Sequence, residues 1–433
     1  MEVKDGKPNF SFMPLREDGK VDAEGKVFAK LRQRCGGERE SRIFILLLVF
    51  LGCLVTWSLP KASVVHEHGD NNTTVDAILR AVPLTDGHND FPIWLRAFHG
   101  NRIYSFNESS VIDGQVDFSR LRQGRLHGQF WSVYVPCPKE ENDFDSSVYY
   151  EIVHDTLQQI DLVNRLIDYF PQHLSHAYTA NDVWSSFKRN PQSISSLMGA
   201  EGLHQIGNSA SIMRLYYRLG VRYITLTHDC NNMYADAAQA VEPVHNGLST
   251  KGKEIVREMN RIGMLVDLSH TSDATMIDAL NTTLAPVIFS HSNARALCPH
   301  PRNVPDAILF KLRDNGGVVM VTFYAEYTKC DNPRLASLQD VADHIDYIGR
   351  LIGFKHIGIG SDFDGMASGP NGLEDVGAYP SLIAELVKRG ISRNDIEGII
   401  GGNILRVLAE AERVAQALSL VLPIEDEVKP LLP

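Results

Sequence analysis

Eight short apolar runs, rich in β-branched residues and separated by amphipathic segments, constrain the fold of this chain more than any other feature. The runs are 82–85, 129–135, 195–200, 222–227, 264–268, 286–290, 317–322 and 356–361. Apolar runs of this kind are typical of parallel strands that are buried on both faces. Eight such strands close a (β/α)8 barrel. The sequence therefore predicts an α/β fold of the TIM-barrel type.

Amphipathic segments between the runs predict the helices of this barrel, because their apolar residues recur at helical spacing. They span 149–169, 209–219, 251–262, 272–280, 305–314 and 337–352. Two further helical stretches, 379–389 and 393–417, follow the last run. We expect these C-terminal helices to pack over the barrel.

One uncharged apolar stretch, 43–59, precedes the barrel region. As a helix it would be about 26 Å long, at the short end of a membrane span. Four arginines lie before it (Arg32, Arg34, Arg39 and Arg42), whereas only Lys61 follows closely. The positive-inside rule then places the N-terminus in the cytoplasm. The alternative is a cleaved signal peptide, but the leader is long for one and no clear A-x-A site follows.

The predicted organisation is a cytoplasmic tail at 1–42, a transmembrane signal anchor at 43–59, a linker at 60–74 and a barrel domain at 75–433. This organisation predicts a single-pass type II membrane protein whose barrel domain is extracellular or lumenal. Four glycosylation sequons, at Asn71, Asn72, Asn107 and Asn281, all follow the apolar stretch. Four cysteines also follow it, and an even number fits two disulfides outside the cytoplasm. They are Cys137, Cys230, Cys298 and Cys330.

The net charge of the chain is −11. Residues 1–42 contain more Lys and Arg than Asp and Glu, so the acidic excess belongs to the part beyond the apolar stretch. A nucleic-acid-binding domain needs a basic surface. The sequence therefore predicts no nucleic-acid partner.

Ionisable side chains follow nearly every apolar run. They include His88 and Asp90, Glu201, His228, His270, His291 and Asp362. The active site of a (β/α)8 enzyme lies at the carboxyl ends of its strands, so we expect these side chains to converge at one mouth. Taken singly, each would more often be a hydrogen-bonded core residue or a helix cap. Together they favour a shared ligand, because several buried ionisable groups at one rim need compensation.

Imidazoles and carboxylates without cysteine suit a catalytic zinc site. His88 and Asp90 are two residues apart on an extended strand and can hold one ion. His270 and His291, which end consecutive strands, can hold a second, and Glu201 is the natural bridge between the two. Two metals about 3.5 to 4 Å apart activate a bridging water and polarise a carbonyl. The pattern therefore predicts hydrolytic chemistry.

Seven motifs in order along the chain resemble those of the membrane (renal) dipeptidase family, whose members are similar to the amidohydrolase barrels. They are DGHND at 86–90, AEG at 200–202, TLTHDCNN at 225–232, LVDLSH at 265–270, PVIFSHS at 286–292, RNVPD at 302–306 and GIGSDFDG at 358–365. The resemblance covers roughly 81–406. It implies the zinc ligands named above, with Glu201 bridging, and hydrolysis of dipeptides by a bridging hydroxide.

The resemblance also implies roles for three further residues. His228 would stabilise the tetrahedral intermediate, Arg302 would clamp the terminal carboxylate of the substrate, and Asp362 would transfer a proton. For Arg302 the residues alone leave a surface salt bridge equally open. Two alternatives to a dipeptidase are a metal-dependent amidohydrolase acting on a cyclic amide, lactam or ester, and a catalytically inactive binding protein on the same barrel.

The family pattern further implies disulfides from Cys137 to Cys230 and from Cys298 to Cys330, and it suggests a homodimer. Animal members are commonly held by a C-terminal lipid anchor. Here the stretch 423–433 is too charged and short for the hydrophobic tail that such processing needs. We therefore expect the N-terminal helix to be the membrane anchor.

Overall fold

Nine parallel β-strands and fourteen α-helices form the part of the chain that the structure, a computed structural model, describes: residues 71–107, 110, 112–139 and 142–428. The strands are β1 Thr85–Asn89, β2 Gly128–Val133, β3 Leu174–His176, β4 Ile194–Ala200, β5 Val221–Thr225, β6 Leu265–Asp267, β7 Ile288–Phe289, β8 Val318–Val321 and β9 Ile357–Ile359. The helices are α1 Asn71–Leu79, α2 Phe91–His99, α3 Phe118–Gln123, α4 Tyr150–Tyr169, α5 Ala180–Arg189, α6 Ala210–Arg218, α7 Thr250–Ile262, α8 Asp273–Thr282, α9 Asp306–Asn315, α10 Ala325–Thr328, α11 Leu338–Ile352, α12 Tyr379–Lys388, α13 Arg393–Glu397 and α14 Asn403–Ala417.

Eight of the strands close into a barrel, because β2 pairs with β1 on one side and with β4 on the other. The remaining strand, β3, pairs with the first half of β4, and β5 pairs with its second half. The predicted (β/α)8 barrel is therefore confirmed, with β3 as an addition outside the closed ring.

The eight predicted runs match the eight barrel strands, with one shift. The first strand was expected at 82–85 but lies at Thr85–Asn89, so the apolar run precedes it. All five residues of this strand are buried although most are polar. Helix α1 begins at Asn71, within the last part of the predicted linker at 60–74, whose other residues lie outside the described ones.

Hydroxyl side chains cap the start of six of the fourteen α-helices. In each of these six, a Ser or Thr at the N-cap accepts a hydrogen bond from the backbone N–H three residues later, which satisfies an otherwise unpaired donor. These caps are Thr179, Ser209, Ser249, Ser272, Ser337 and Ser392.

The barrel interior is shaped by a large residue beside a glycine. Tyr223 on β5 is fully buried, and a Cβ at Gly199 on β4 would lie 1.9 Å from its ring. Only glycine at 199 leaves room for this ring. The phenol crosses the barrel, so that its hydroxyl lies 2.8 Å from His88 Nδ1 on β1.

The predicted C-terminal helix at 393–417 is interrupted. A π-helical segment, Gly398–Gly402, separates α13 from α14. A Cβ at Gly401 would lie 2.0 Å from the carbonyl oxygen of Pro83, just before β1. This interruption lets the helical segment pack closely against the amino-terminal end of the barrel, opposite the carboxyl ends of the strands.

Among the residues that the structure describes, we find no helix that is long and apolar enough to cross a membrane. The predicted tail at 1–42 and anchor at 43–59 lie outside the described residues.

Two disulfides, Cys137–Cys230 and Cys298–Cys330, join the pairs that the family resemblance implied. Cys137 follows β2 and Cys230 follows β5, whereas the second pair lies in the segments after β7 and β8. Both disulfides thus connect loops that follow the carboxyl ends of barrel strands.

Replacing both Cys137 and Cys230 with Ser should lower the free energy of unfolding by about 4 to 5 kcal/mol, because the disulfide closes a long loop in the unfolded chain. The matched control is the double Ser variant of Cys298 and Cys330, which are 32 rather than 93 residues apart. Its loss should be about 1 kcal/mol smaller on the same chain-entropy argument. Denaturant unfolding of the oxidised proteins measures both, and an unchanged midpoint in the first variant would contradict the expectation.

Candidate metal centre and active site

The carboxyl ends of the strands bring polar side chains from β1, β4, β5, β6, β7 and β9 to one mouth of the barrel. They surround a cavity of about 350 Å³, within the range of small-molecule sites. The sequence-predicted residues that line it are Asp90, Glu201, His228, His270, His291, Arg302 and Asp362. His88 is fully buried directly beneath them.

Glu201 lies at the centre of this group. Its Oε1 is 3.5 Å from Nε2 of His88, 3.1 Å from Nε2 of His270 and 3.4 Å from Nε2 of His291. Asp90 Oδ2 lies 3.2 Å from the same His88 nitrogen. Three imidazoles from three strands therefore direct one nitrogen each at a single carboxylate.

These contacts fit bound metal ions. Nε2 of His88 is buried and has no hydrogen-bond partner. Nε2 of His270 and Nε2 of His291 lie only 2.9 Å apart. Burial lowers the pKa of both these residues well below the usual value, so both rings are neutral at neutral pH. Neutral imidazole nitrogens and carboxylate oxygens are the donors that Zn²⁺ prefers.

The carboxylates and His88 form a strongly interacting set. Burial alone would lower the pKa of His88, but Asp90 and Glu201 outweigh it and raise the pKa to about 10. Burial raises the pKa of Glu201 well above its usual value. Burial also raises the pKa of Asp362 well above its usual value, and the negative charge of Asp90 raises it further. Burial thus disfavours the ionised forms of Glu201 and Asp362, and a bound cation would stabilise them.

The backbone at the mouth adopts uncommon conformations. His270 and Asp362 have φ angles of 65° and 68°, in the left-handed region. Asp90 follows β1 as the N-cap residue of α2, which turns its side chain back toward His88. Left-handed conformations of residues other than glycine concentrate at functional sites.

Arg302 is buried, with 2% of its surface exposed, so the surface salt bridge considered from sequence is wrong. Its Nη2 donates to the carbonyl oxygen of His291 at 3.4 Å, and its guanidinium lies over the ring of Tyr327. Nε and Nη1 have no hydrogen-bond partner. The cavity therefore presents unpaired donors next to a candidate metal ligand.

His228 lines the same cavity beside the metal-ligand cluster. Its ring centroid is 4.4 Å from that of His270 and 5.0 Å from that of Tyr134. Burial lowers its pKa to about 4, so the ring is neutral and carries one N–H donor.

Sequence reasoning missed several residues of the cavity. Tyr134, Tyr324 and Tyr327 contribute its aromatic wall. No pattern marked these tyrosines, since aromatic residues after strands are common. Asp229 follows His228 in the TLTHDCNN motif, and its Oδ1 lies 3.1 Å from His270 Nδ1.

The sequons fall on the surface where their side chains are described. Asn107 and Asn281 are exposed. The side chains of Asn71 and Asn72 lie outside the described residues. Glycosylation at all four stays a prediction.

A parallel (β/α)8 barrel with histidines and carboxylates at its carboxyl mouth defines a class of metal-dependent hydrolases. The model of the membrane dipeptidase family (peptidase family M19) matches residues 72–421. The chain therefore belongs to the membrane dipeptidase family and is a metallo-dipeptidase.

Curated relatives and solved structures agree with this membership. The chain is 52% identical to the dipeptidase aclJ of Aspergillus oryzae over 98% of this chain and 99% of that protein. It is 49% identical to the dipeptidase tcpJ of Claviceps purpurea over 80% and 81% of the two chains. A metallo-peptidase of Rhodobacter sphaeroides, solved with a phosphinate mimic of the dipeptide L-Ala-D-Ala, superposes with a TM-score of 0.68 at 25% identity, covering 76% of this chain and 99% of that one. The probable dipeptidase PvdM of Pseudomonas aeruginosa shares the fold, with a TM-score of 0.71 at 22% identity over 80% and 99% of the chains.

Proposed function

We propose that this protein hydrolyses dipeptides with a binuclear zinc centre. His88 and Asp90 would hold one ion, His270 and His291 the other, and Glu201 would bridge them. The observation that carries the proposal is the convergence of three imidazole nitrogens on Glu201 Oε1, at 3.5, 3.1 and 3.4 Å. When bound, the ions would supply an activated water as the nucleophile and polarise the scissile carbonyl.

Arg302 supports a substrate with a free terminal carboxylate. Its two unpaired nitrogens are buried beside the cavity, and a guanidinium binds a carboxylate through two parallel hydrogen bonds. The Rhodobacter sphaeroides relative was solved with a dipeptide mimic, which supports the same substrate class.

His228 and Asp362 would act on the reacting atoms. The N–H of His228 would donate to the oxygen that becomes negative when the carbonyl is attacked. Asp362 Oδ1 lies 4.0 Å from His88 Nε2, and its carboxyl group would carry a proton to the departing amine. Both residues line the cavity that contains Glu201.

Zinc quantitation combined with a peptide panel tests the proposal on the purified full chain. We expect two zinc ions per chain and hydrolysis of dipeptides with a free C-terminus. A protein that holds no zinc would contradict it. Equal or better hydrolysis of cyclic amides, lactams or esters would instead favour a different amidohydrolase.

Arg302→Lys should reduce kcat/KM for free dipeptides by about 100-fold, because Lys keeps the charge but loses the two parallel hydrogen bonds. The variant should hydrolyse C-terminally amidated dipeptides at the same low rate as the wild type. The ratio of kcat/KM for free over amidated dipeptides should therefore fall. The comparison of the two substrates by initial rates is the measurement.

Arg413→Lys is the matched control, since Arg413 makes a two-pronged contact with Glu410 on the surface of α14. It should change neither substrate by more than about twofold, as expected for a largely exposed ion pair. An equal loss on free and amidated dipeptides in Arg302→Lys would remove the carboxylate-binding role.

We also propose that the N-terminal stretch 43–59 anchors the protein in a membrane as a type II protein, with the barrel extracellular or lumenal. The basic flank before the stretch supports this orientation. The two disulfides support an oxidising compartment for the barrel. The homodimer suggested by the family stays a prediction.

A further inference from the structure

A buried chain of hydrogen bonds runs behind the candidate metal centre, from Asp267 through Ser290 to His291. Ser290 Oγ lies 2.5 Å from Asp267 Oδ2 and 2.8 Å from His291 Nδ1. The three residues are at most 1% exposed. Asp267 ends β6 and Ser290 follows β7, so the chain links neighbouring strands.

The direction of each hydrogen bond follows from counting protons. Asp267 receives four donors: Thr225 Oγ1 and Ser290 Oγ on Oδ2, and the backbone N–H groups of Ser269 and Ser290 on Oδ1. Four donors fill an ionised carboxylate, which can only accept. Ser290 Oγ therefore gives its single proton to Asp267 Oδ2 at 2.5 Å rather than to Ser269 Oγ at 3.4 Å, because the carboxylate is the closer and stronger acceptor. Its oxygen can then only accept from His291, so the ring proton of His291 lies on Nδ1.

This proton position determines what His291 offers to the metal centre. With the proton on Nδ1, Nε2 carries a lone pair. That atom lies 3.4 Å from Glu201 Oε1 and 2.9 Å from Nε2 of His270. A proton on Nε2 would instead occupy the position that a metal ion needs.

The other two imidazoles are held in the same way by different partners. Nδ1 of His88 lies 2.8 Å from the hydroxyl of Tyr223, which donates to the carbonyl oxygen of Gly87. Nδ1 of His270 faces Asp229, whose side chain is about half exposed, so water can replace it there. The hydrogen-bonded residues behind His291, in contrast, are wholly buried. Because solvent does not reach them, water does not replace Ser290 there.

We propose that Asp267, acting through Ser290, holds His291 in the tautomer whose Nε2 faces the metal centre. Both are positioning residues for the zinc ion at His270 and His291. This inference rests on the proposed function, since it concerns the affinity of the same zinc site. An outer hydrogen-bond partner of a metal ligand typically changes metal affinity by 10- to 100-fold.

Two single substitutions separate positioning from folding. Ser290→Ala and Thr225→Val each remove one buried hydroxyl that donates to Asp267 Oδ2, but only Ser290 contacts His291. Both variants should lose similar thermal stability as zinc-free full chains. Chelator competition with zinc alone should show one of the two ions bound about 10- to 100-fold more weakly in Ser290→Ala, and within about threefold of wild type in Thr225→Val.

Asp267→Asn provides a second variant that reverses the hydrogen-bond chain. The two backbone N–H groups keep the amide oxygen at the Oδ1 position, so the amide nitrogen faces Ser290 and donates to it. Ser290 would then donate to His291 Nδ1 and move the ring proton to Nε2. We expect zinc binding at this position to be weakened at least as much as in Ser290→Ala, whereas Ser290→Thr, which keeps the hydroxyl, should retain it.

Equal zinc affinity in Ser290→Ala and Thr225→Val, or wild-type affinity in Asp267→Asn, would overturn the inference. In that case a wild type that holds two zinc ions and hydrolyses dipeptides would leave the proposed function standing. A wild type that binds no zinc would overturn both.

Discussion

Replacing His270 with Ala is expected to remove zinc and dipeptide hydrolysis together. His270 Nε2 lies 3.1 Å from Glu201 Oε1 and 2.9 Å from His291 Nε2, so it contributes a central donor. Without this nitrogen, the second zinc position keeps His291 and the bridging carboxylate, which is too few ligands for tight binding. We expect kcat/KM to fall on the order of 10³-fold or more, because the nucleophile and the polarised carbonyl both depend on the metals.

His154→Ala is a suitable control for this experiment. Its side chain is 67% exposed on α4, next to Asp155, and it is remote in sequence from every motif of the site. This variant should retain both zinc ions and wild-type rates. Full dipeptide hydrolysis by His270→Ala would refute the assigned ligand set, and full zinc content with lost hydrolysis would assign His270 a role other than metal binding.

Asp362→Asn is expected to keep both zinc ions and to lose turnover. Asparagine tolerates the left-handed backbone found at this position, so the fold should be retained. It cannot carry a proton to the leaving amine, and loss of a general acid typically lowers the rate by about 10²- to 10⁴-fold. The measurements are zinc per chain and kcat on a good dipeptide substrate.

Asp364→Asn is the matched control within the same motif. Asp364 has a similar φ of 65°, but its Oδ1 accepts from the backbone N–H of Gln115 at 2.6 Å. Both variants therefore replace an aspartate whose backbone has a left-handed conformation. Equal losses of activity in the two would remove the assignment of proton transfer to Asp362 alone, because Asp364 lines the same cavity.

The barrel could be predicted from sequence because its strands are buried on both faces. Such strands are continuous apolar runs, as in the four buried residues of β8, and they stand out between amphipathic helices. The convergence of His88, Glu201 and His270 followed from the same reasoning, since parallel strands place their carboxyl ends at one mouth.

Other features left no such signal. Strand β1 carries polar residues in a buried setting, so its apolar neighbours at 82–85 were mistaken for it. Strand β3 has only three residues, two of them polar, and lies outside the closed ring. Asp267 and Ser290 gave no indication of their hydrogen bonds to each other and to His291, because such contacts depend on which atoms meet in space.

The left-handed backbone at His270 and Asp362 has a consequence for engineering this protein. Such conformations cost about 1 kcal/mol or more for residues other than glycine, so the zinc-free fold should gain stability when glycine replaces them. A screen for heat resistance alone would therefore select against the proposed catalytic residues. Selection for a more robust variant needs to retain zinc binding and turnover as criteria, since stability and activity oppose each other at these two positions.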